Sequence, residues 1–145
     1  MLKGISPLLS PALLAVLAEM GHGDEIVLAD ANFPSASVAG DSKLIRADGI
    51  GMTDLLSAIL PLFPLDQYDS ENFILMEVVP GDPCVPVIWD EFRSVLGKHE
   101  PKAVPSTLER SAYYDRARKA YAIVATGERA QYSNIILKKG VVYPD

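Results

Sequence analysis

Cysteine, histidine and positive charge are all scarce in this chain, and each scarcity excludes something. A single cysteine, Cys84, rules out an internal disulfide framework and any zinc site built from cysteines; it reads as a small residue in a proline-rich loop. Only 13 lysines and arginines stand against 19 acidic residues, a formal net charge of −6. That balance repels a phosphate backbone and an anionic bilayer surface, so neither nucleic acid nor a membrane is expected as a partner. No apolar run approaches the ~20 residues that span a bilayer. The opening Met1-Leu2-Lys3-Gly4-Ile5-Ser6-Pro7 lacks the long apolar stretch of a secretion signal, so the expected location is cytoplasmic. There is no P-loop, no G-x-G-x-x-G and no G-x-S-x-G nucleophile elbow. The two histidines, His22 and His99, lie far apart and have no metal-ligand spacing. No metal or cofactor is expected.

What is present suits one well-filled domain spanning residues 1–145. The apolar fraction of 49% fills a single core, and 22% charged residues is an ordinary surface complement. Ser10 is a suitable N-cap and Pro11 a suitable first helical residue. Leu13, Val16, Leu17 and Met20 then form one apolar stripe, with Gly21 placed to end the helix. Glu25-Ile26-Val27-Leu28-Ala29 reads as a buried strand ending at Asp30, before the turn-prone Asn32-Phe33-Pro34-Ser35. Leu44-Ile45-Arg46 reads as a short strand, and Thr53 as the cap of a helix ending near Pro61. Residues 72–79 predict a strand and residues 87–96 a helix stopped by Gly97. Ser111 is placed to cap a basic helix reaching Lys119. Two closing strands, residues 121–125 and 134–137, follow. Helices alternating with apolar strands predict a three-layer α/β/α domain with a largely parallel central sheet, its strand order undetermined.

In such sheets reactive residues gather beyond the carboxyl ends of the strands, where Asp30 falls. His22 sits in the loop leading into the same strand. Its flanking glycines remove bulk, and an imidazole is the side chain best matched to proton transfer near neutrality. Read alone these are modest signals: a lone loop histidine is more often a surface or capping residue, and a strand-end aspartate more often a turn former. Asp24 and Glu25 adjoin His22, but successive strand side chains point to opposite faces and make no metal site with it. His99, in Lys98-His99-Glu100-Pro101, reads as solvated.

Several motifs in order carry more. They are Met20-Gly21-His22-Gly23-Asp24-Glu25-Ile26 through Asp30, then Asn32-Phe33-Pro34, and Ile45-Arg46-Ala47-Asp48-Gly49. Glu109-Arg110, Tyr113-Tyr114-Asp115-Arg116-Ala117, the run from Thr126 to Asn134, and Ile135-Ile136-Leu137-Lys138-Lys139-Gly140-Val141 follow. Together they resemble the fucose-mutarotase/ribose-pyranase family over nearly the whole chain, least well between residues 67 and 106. The resemblance implies that His22 is the general acid and Asp30 a substrate-binding carboxylate. It places Arg110 at the basic position that is arginine in fucose-type members. Tyr132, Ser133 and Asn134 match the segment that contacts sugar, and Tyr114 and Lys138 lie in family motifs. Tyr114 also reads as a packed helix residue, Lys138 as a solvated charge and Arg110 as a surface ion-pair partner of Glu109 or Asp115.

The implied activity is interconversion of the anomers of a free monosaccharide, L-fucose favoured, by acid/base-assisted ring opening and closure. Such chemistry asks for groups that titrate near neutrality and work in both directions. The base opposing His22 stays open, with Asp30 one candidate. Phe33 is placed either to meet the methyl of a 6-deoxy sugar or to pack on its own core. Two other readings use the same residues: pyranose–furanose exchange of ribose, and a non-catalytic sugar-binding accessory of a transport system, which would not need His22. The family further implies a homo-oligomer, a decamer favoured and a dimer possible, with sites near subunit boundaries.

Overall fold

The apolar run of β1 (Glu25–Ala29) is continuous because both of its faces are covered. Ile26 and Leu28 point into one hydrophobic cluster, and Val27 and Ala29 into another on the reverse side. The computed structural model describes residues 1–145. Its remaining elements are α1 (Pro11–Glu19), α2 (Ser35–Ala39), β2 (Lys43–Ala47), α3 (Met52–Ile59), β3 (Phe73–Met76), α4 (Ile88–His99), β4 (Ser106–Leu108), α5 (Arg110–Arg118), β5 (Ala122–Thr126) and β6 (Ile135–Lys138). The larger cluster lies under α1, α3 and α4, and the smaller one under α2 and α5. The expected three layers are therefore present.

The sheet has six strands in the order β2-β5-β1-β6-β3-β4. Five run parallel, and β6 runs antiparallel between β1 and β3. Leu28 faces Ile135 across the β1–β6 pair, and Glu25 faces Lys138. The reversal brings the first residues of β6 to the carboxyl ends of the parallel strands. Its last residues lie at their amino ends.

The helix ends differ from expectation in instructive ways. Ser10 does cap α1, its hydroxyl accepting from the Leu13 N–H at 3.2 Å. Gly21 is not left-handed; Gly23 is, at φ 88°, while the Gly21 N–H donates to Asp24 Oδ2 at 2.8 Å. Thr53 lies inside α3, whose first N–H, that of Met52, donates to the remote Glu128 carboxylate at 2.9 Å. Glu109 rather than Ser111 caps α5, accepting from the Ala112 N–H at 2.9 Å. Gly97 is absorbed within α4, which runs on to His99 before Pro101 halts it. The helix after Pro34 and the three-residue edge strand β4 were not anticipated, being too short to show a period.

Candidate active site

At the carboxyl end of β1, Asp30 is nearly buried, 7% exposed. Its Oδ1 accepts from the backbone N–H groups of Asn32 at 3.0 Å and Phe33 at 2.9 Å, closing the turn that follows the strand. Its own N–H donates to Asn134 Oδ1 at 2.7 Å, a contact that exists because β6 begins beside the end of β1. Burial raises the Asp30 carboxyl above its usual range, against the lowering effect of these hydrogen bonds.

Tyr132, just before β6, adopts the left-handed conformation at φ 57°, uncommon for a bulky residue. Its carbonyl accepts from Trp89 Nε1 at 2.7 Å. The hydroxyl donates to Asp82 Oδ2 at 2.6 Å and accepts from the Val79 N–H at 3.2 Å. The bond to Asp82 raises the Tyr132 phenol and lowers the Asp82 carboxyl. Arg110, at the start of α5, lays its guanidinium over the Tyr114 ring, 5.1 Å from the centroid. Tyr114 in turn stacks on Phe33 at 5.2 Å, with the rings 8° from parallel. These side chains converge on one cavity of about 350 Å³. Asp30, Arg110, Tyr114, Tyr132 and Asn134 line it, with Phe33, Met76 and Val79 as an apolar wall.

Three anticipated residues lie elsewhere. Ser133 is fully buried, and its hydroxyl donates to the Ala130 carbonyl at 2.7 Å, bracing the turn before β6 without lining the cavity. Lys138 is at the far end of β6, with Nζ 2.6 Å from Asp69 Oδ2 and 4.0 Å from Asp66 Oδ2. His22 stands near that end too, ahead of β1, its Nε2 3.0 Å from Asp66 Oδ1 and its ring 5.4 Å from that of Tyr68. The five residues of β1 separate it from Asp30, a rise of about 16 Å. Within one chain the two do not meet.

Two carboxylates here escaped sequence reading. Asp66 is buried beneath His22 and also accepts from the Tyr68 N–H at 3.0 Å. Burial pushes its carboxyl up, but the bonds from Tyr68 and His22 outweigh that and hold it below the usual range. Asp82 lies in the least family-like stretch, where Pro80-Gly81-Asp82 signals only a turn. No group of three or more histidine, cysteine or acidic side chains is placed to hold a metal ion. No helix is long and apolar enough to cross a membrane.

Residues 3–142 match the RbsD / FucU transport protein family. The chain is 52% identical to the fucose mutarotase of Danio rerio, covering 99% of this chain and 96% of that protein. The crystal structure of the fucose mutarotase from Streptococcus pneumoniae in complex with L-fucose superposes with a TM-score of 0.91 at 53% identity, covering 98% of this chain and 100% of that one. FucU from Bifidobacterium longum superposes with a TM-score of 0.95 at 46% identity, covering 97% and 100%. With a match that runs through every strand of the sheet and both ends of β6, the chain belongs to the RbsD / FucU family.

Proposed function

We propose that this protein is an L-fucose mutarotase, an isomerase that opens and recloses the ring of the free sugar. The observation that carries the reading is the cavity joining Asp30, Arg110, Tyr132 and Asn134 beside an apolar wall. Donors and acceptors from distant parts of the chain converge there on a volume suited to one monosaccharide. A polar pocket of this kind discriminates by leaving hydroxyl partners unpaired when the wrong sugar enters. Phe33, Met76 and Val79 offer an apolar surface to the methyl of a 6-deoxy hexose.

His22 supplies the acid. Its Nε2–H is directed at Asp66, which fixes the ring of a half-exposed side chain and leaves Nδ1 as the nitrogen that can carry the working proton. As imidazolium it passes the Nδ1 proton to the ring oxygen as the bond from the anomeric carbon breaks. Rotation about the freed carbonyl-bearing carbon and reclosure deliver the opposite anomer. Since the imidazole lies about one strand length from its own cavity, the working site is composite. The cavity of one copy receives His22 and Asp66 of the next, which makes the active species a homo-oligomer. A closed ring such as a decamer repeats that contact at every boundary, and a dimer offers it twice. Free sugars of this kind are metabolised in the cytoplasm, where we place the protein.

NMR saturation transfer between the anomer signals of L-fucose tests this, with D-ribose and D-galactose in parallel. Enhanced exchange for L-fucose is expected. Exchange enhanced most strongly for D-ribose would reassign the substrate, and sugar binding without enhanced exchange would make the protein a binding accessory.

A further inference from the structure

We infer that Asp82 is a positioning residue that acts through Tyr132, accepting the phenol's proton as the phenol oxygen receives that of the anomeric hydroxyl. This rests on the mutarotase reading above and assigns the base that opposes His22.

The Tyr132 hydroxyl has one proton to give, and that proton is already directed at Asp82 Oδ2, 2.6 Å away. The Val79 N–H occupies another position on the same oxygen at 3.2 Å. What the phenol has left for a ligand is acceptor capacity, so a sugar hydroxyl meeting Tyr132 must be the donor. Asp82 is built into this role. Its Oδ1 accepts from the Cys84 N–H at 2.9 Å, and its own N–H donates to the Val79 carbonyl at 3.0 Å. Gly81 supplies the left-handed bend between them at φ 89°. Tyr132 is held from the other side by Trp89 on its carbonyl and by its own left-handed backbone. A strained, multiply anchored tyrosine paired with a carboxylate in a cavity wall is an arrangement expected where geometry serves chemistry. Asp30 is a weaker choice of base, because two backbone N–H groups already bond its Oδ1, leaving Oδ2 to hold a sugar hydroxyl.

The proton balance closes. On ring opening the anomeric hydroxyl proton moves to Tyr132 Oη, and the phenol's own proton moves to Asp82 Oδ2. The bond between the anomeric carbon and the ring oxygen breaks with its electron pair going to oxygen, which takes a proton from His22. A carbonyl forms at the anomeric carbon. Reclosure on the other face returns each proton by the same path.

The test compares Asp82→Asn, Asp82→Glu, Tyr132→Phe and the double variant Asp82→Asn/Tyr132→Phe in the assembled protein. L-fucose anomer exchange is read by saturation transfer, and L-fucose affinity by calorimetry. Asparagine takes no proton, and its single amide oxygen keeps the phenol's hydrogen bond only by giving up the one from the Cys84 N–H. Asp82→Asn should therefore lose about 10- to 100-fold in exchange rate at saturating sugar, with Kd within about threefold of wild type. Asp82→Glu keeps a carboxylate and should retain more rate than Asp82→Asn. The double variant should be no slower than Tyr132→Phe alone, as for two residues acting as one unit. Wild-type exchange in Asp82→Asn, or losses that multiply in the double variant, would overturn the inference and leave the mutarotase reading standing. A wild-type protein that binds L-fucose without speeding its exchange would overturn both.

Discussion

Nε2 of His22 lies 3.0 Å from Oδ1 of Asp66, joining an imidazole whose side chain is 46% exposed to a carboxylate only 4% exposed. The cavity lined by Asp30 lies at the other end of β1 in the same chain. In the function proposed above, an exposed imidazole on a buried anchor would meet a sugar held by a neighbouring copy.

Removing the anchor's charge should therefore cost rate more than fold. Asp66→Asn keeps an oxygen for the Tyr68 N–H and His22, and exchange should fall about 10- to 100-fold, with a modest drop in melting temperature near neutrality. The folded carboxyl titrates below its ordinary value, so its contribution to stability is present above the unfolded value and lost as pH falls through the folded one. Acid melts below about pH 4 should lose that slope in the variant.

Complementation tests the proposed composite site directly. His22→Ala and Arg110→Ala each disable a different half, and His22→Ala should slow exchange by about 10²–10⁴-fold while keeping sugar affinity. If the two variants are unfolded and refolded as a one-to-one mixture, about a quarter of the boundaries pair two intact halves, and activity should return to that extent. A mixture no more active than its parts would confine the site to one chain.

Asp30 carries the opposite linkage from Asp66. Its folded carboxyl titrates above the ordinary value, so the native state binds more protons across that interval and stability falls as pH rises through it. Asp30→Asn removes a buried charge yet can still accept from Asn32 and Phe33. It should melt at or above the wild-type temperature near neutrality while losing sugar affinity, read by thermal scans and calorimetry.

Gly140 packs against the segment that carries Asp66, the partner of His22. A Cβ there would stand 2.5 Å from the Leu65 carbonyl oxygen, and the Gly140 N–H already donates to the Pro64 carbonyl at 2.7 Å. Gly140→Ala must push back the segment that carries Asp66. A loss of about 1–3 kcal/mol in denaturant unfolding is expected, together with slower exchange.

Tyr113 is fully buried and its hydroxyl has no hydrogen-bond partner. Tyr113→Phe removes an unpaired polar group at almost constant shape and should gain about 1 kcal/mol in the same measurement.

Much of the architecture was legible because local physics encoded it. The span Glu25–Ala29 read as a strand and formed one, since an unbroken apolar run bounded by turn residues has few other uses. Ser10 and Pro11 announced α1 through a side-chain bond only three residues long. The caps of α3 and α5 misled for the converse reason: Glu128 reaches Met52 across 76 residues, and Glu109 displaced the better N-cap type Ser111. Asp30, Arg110, Tyr114, Tyr132 and Asn134 were picked out by motif, and all five line one cavity. Asp66 and Asp82 carry no such mark, because each becomes special only through a partner 44 or 50 residues away.

By itself the sequence determined the alternation of helix and strand, the two-sided burial of the sheet and the residue types on hand for proton transfer. These depend on periodicity and on contacts close along the chain. Only the tertiary structure decided that β6 would run backwards between β1 and β3. That reversal brings Asn134 to Asp30 and carries Lys138 to the opposite end, beside the Asp66 that anchors His22. Strand direction is settled by pairing between distant segments, which no local pattern records.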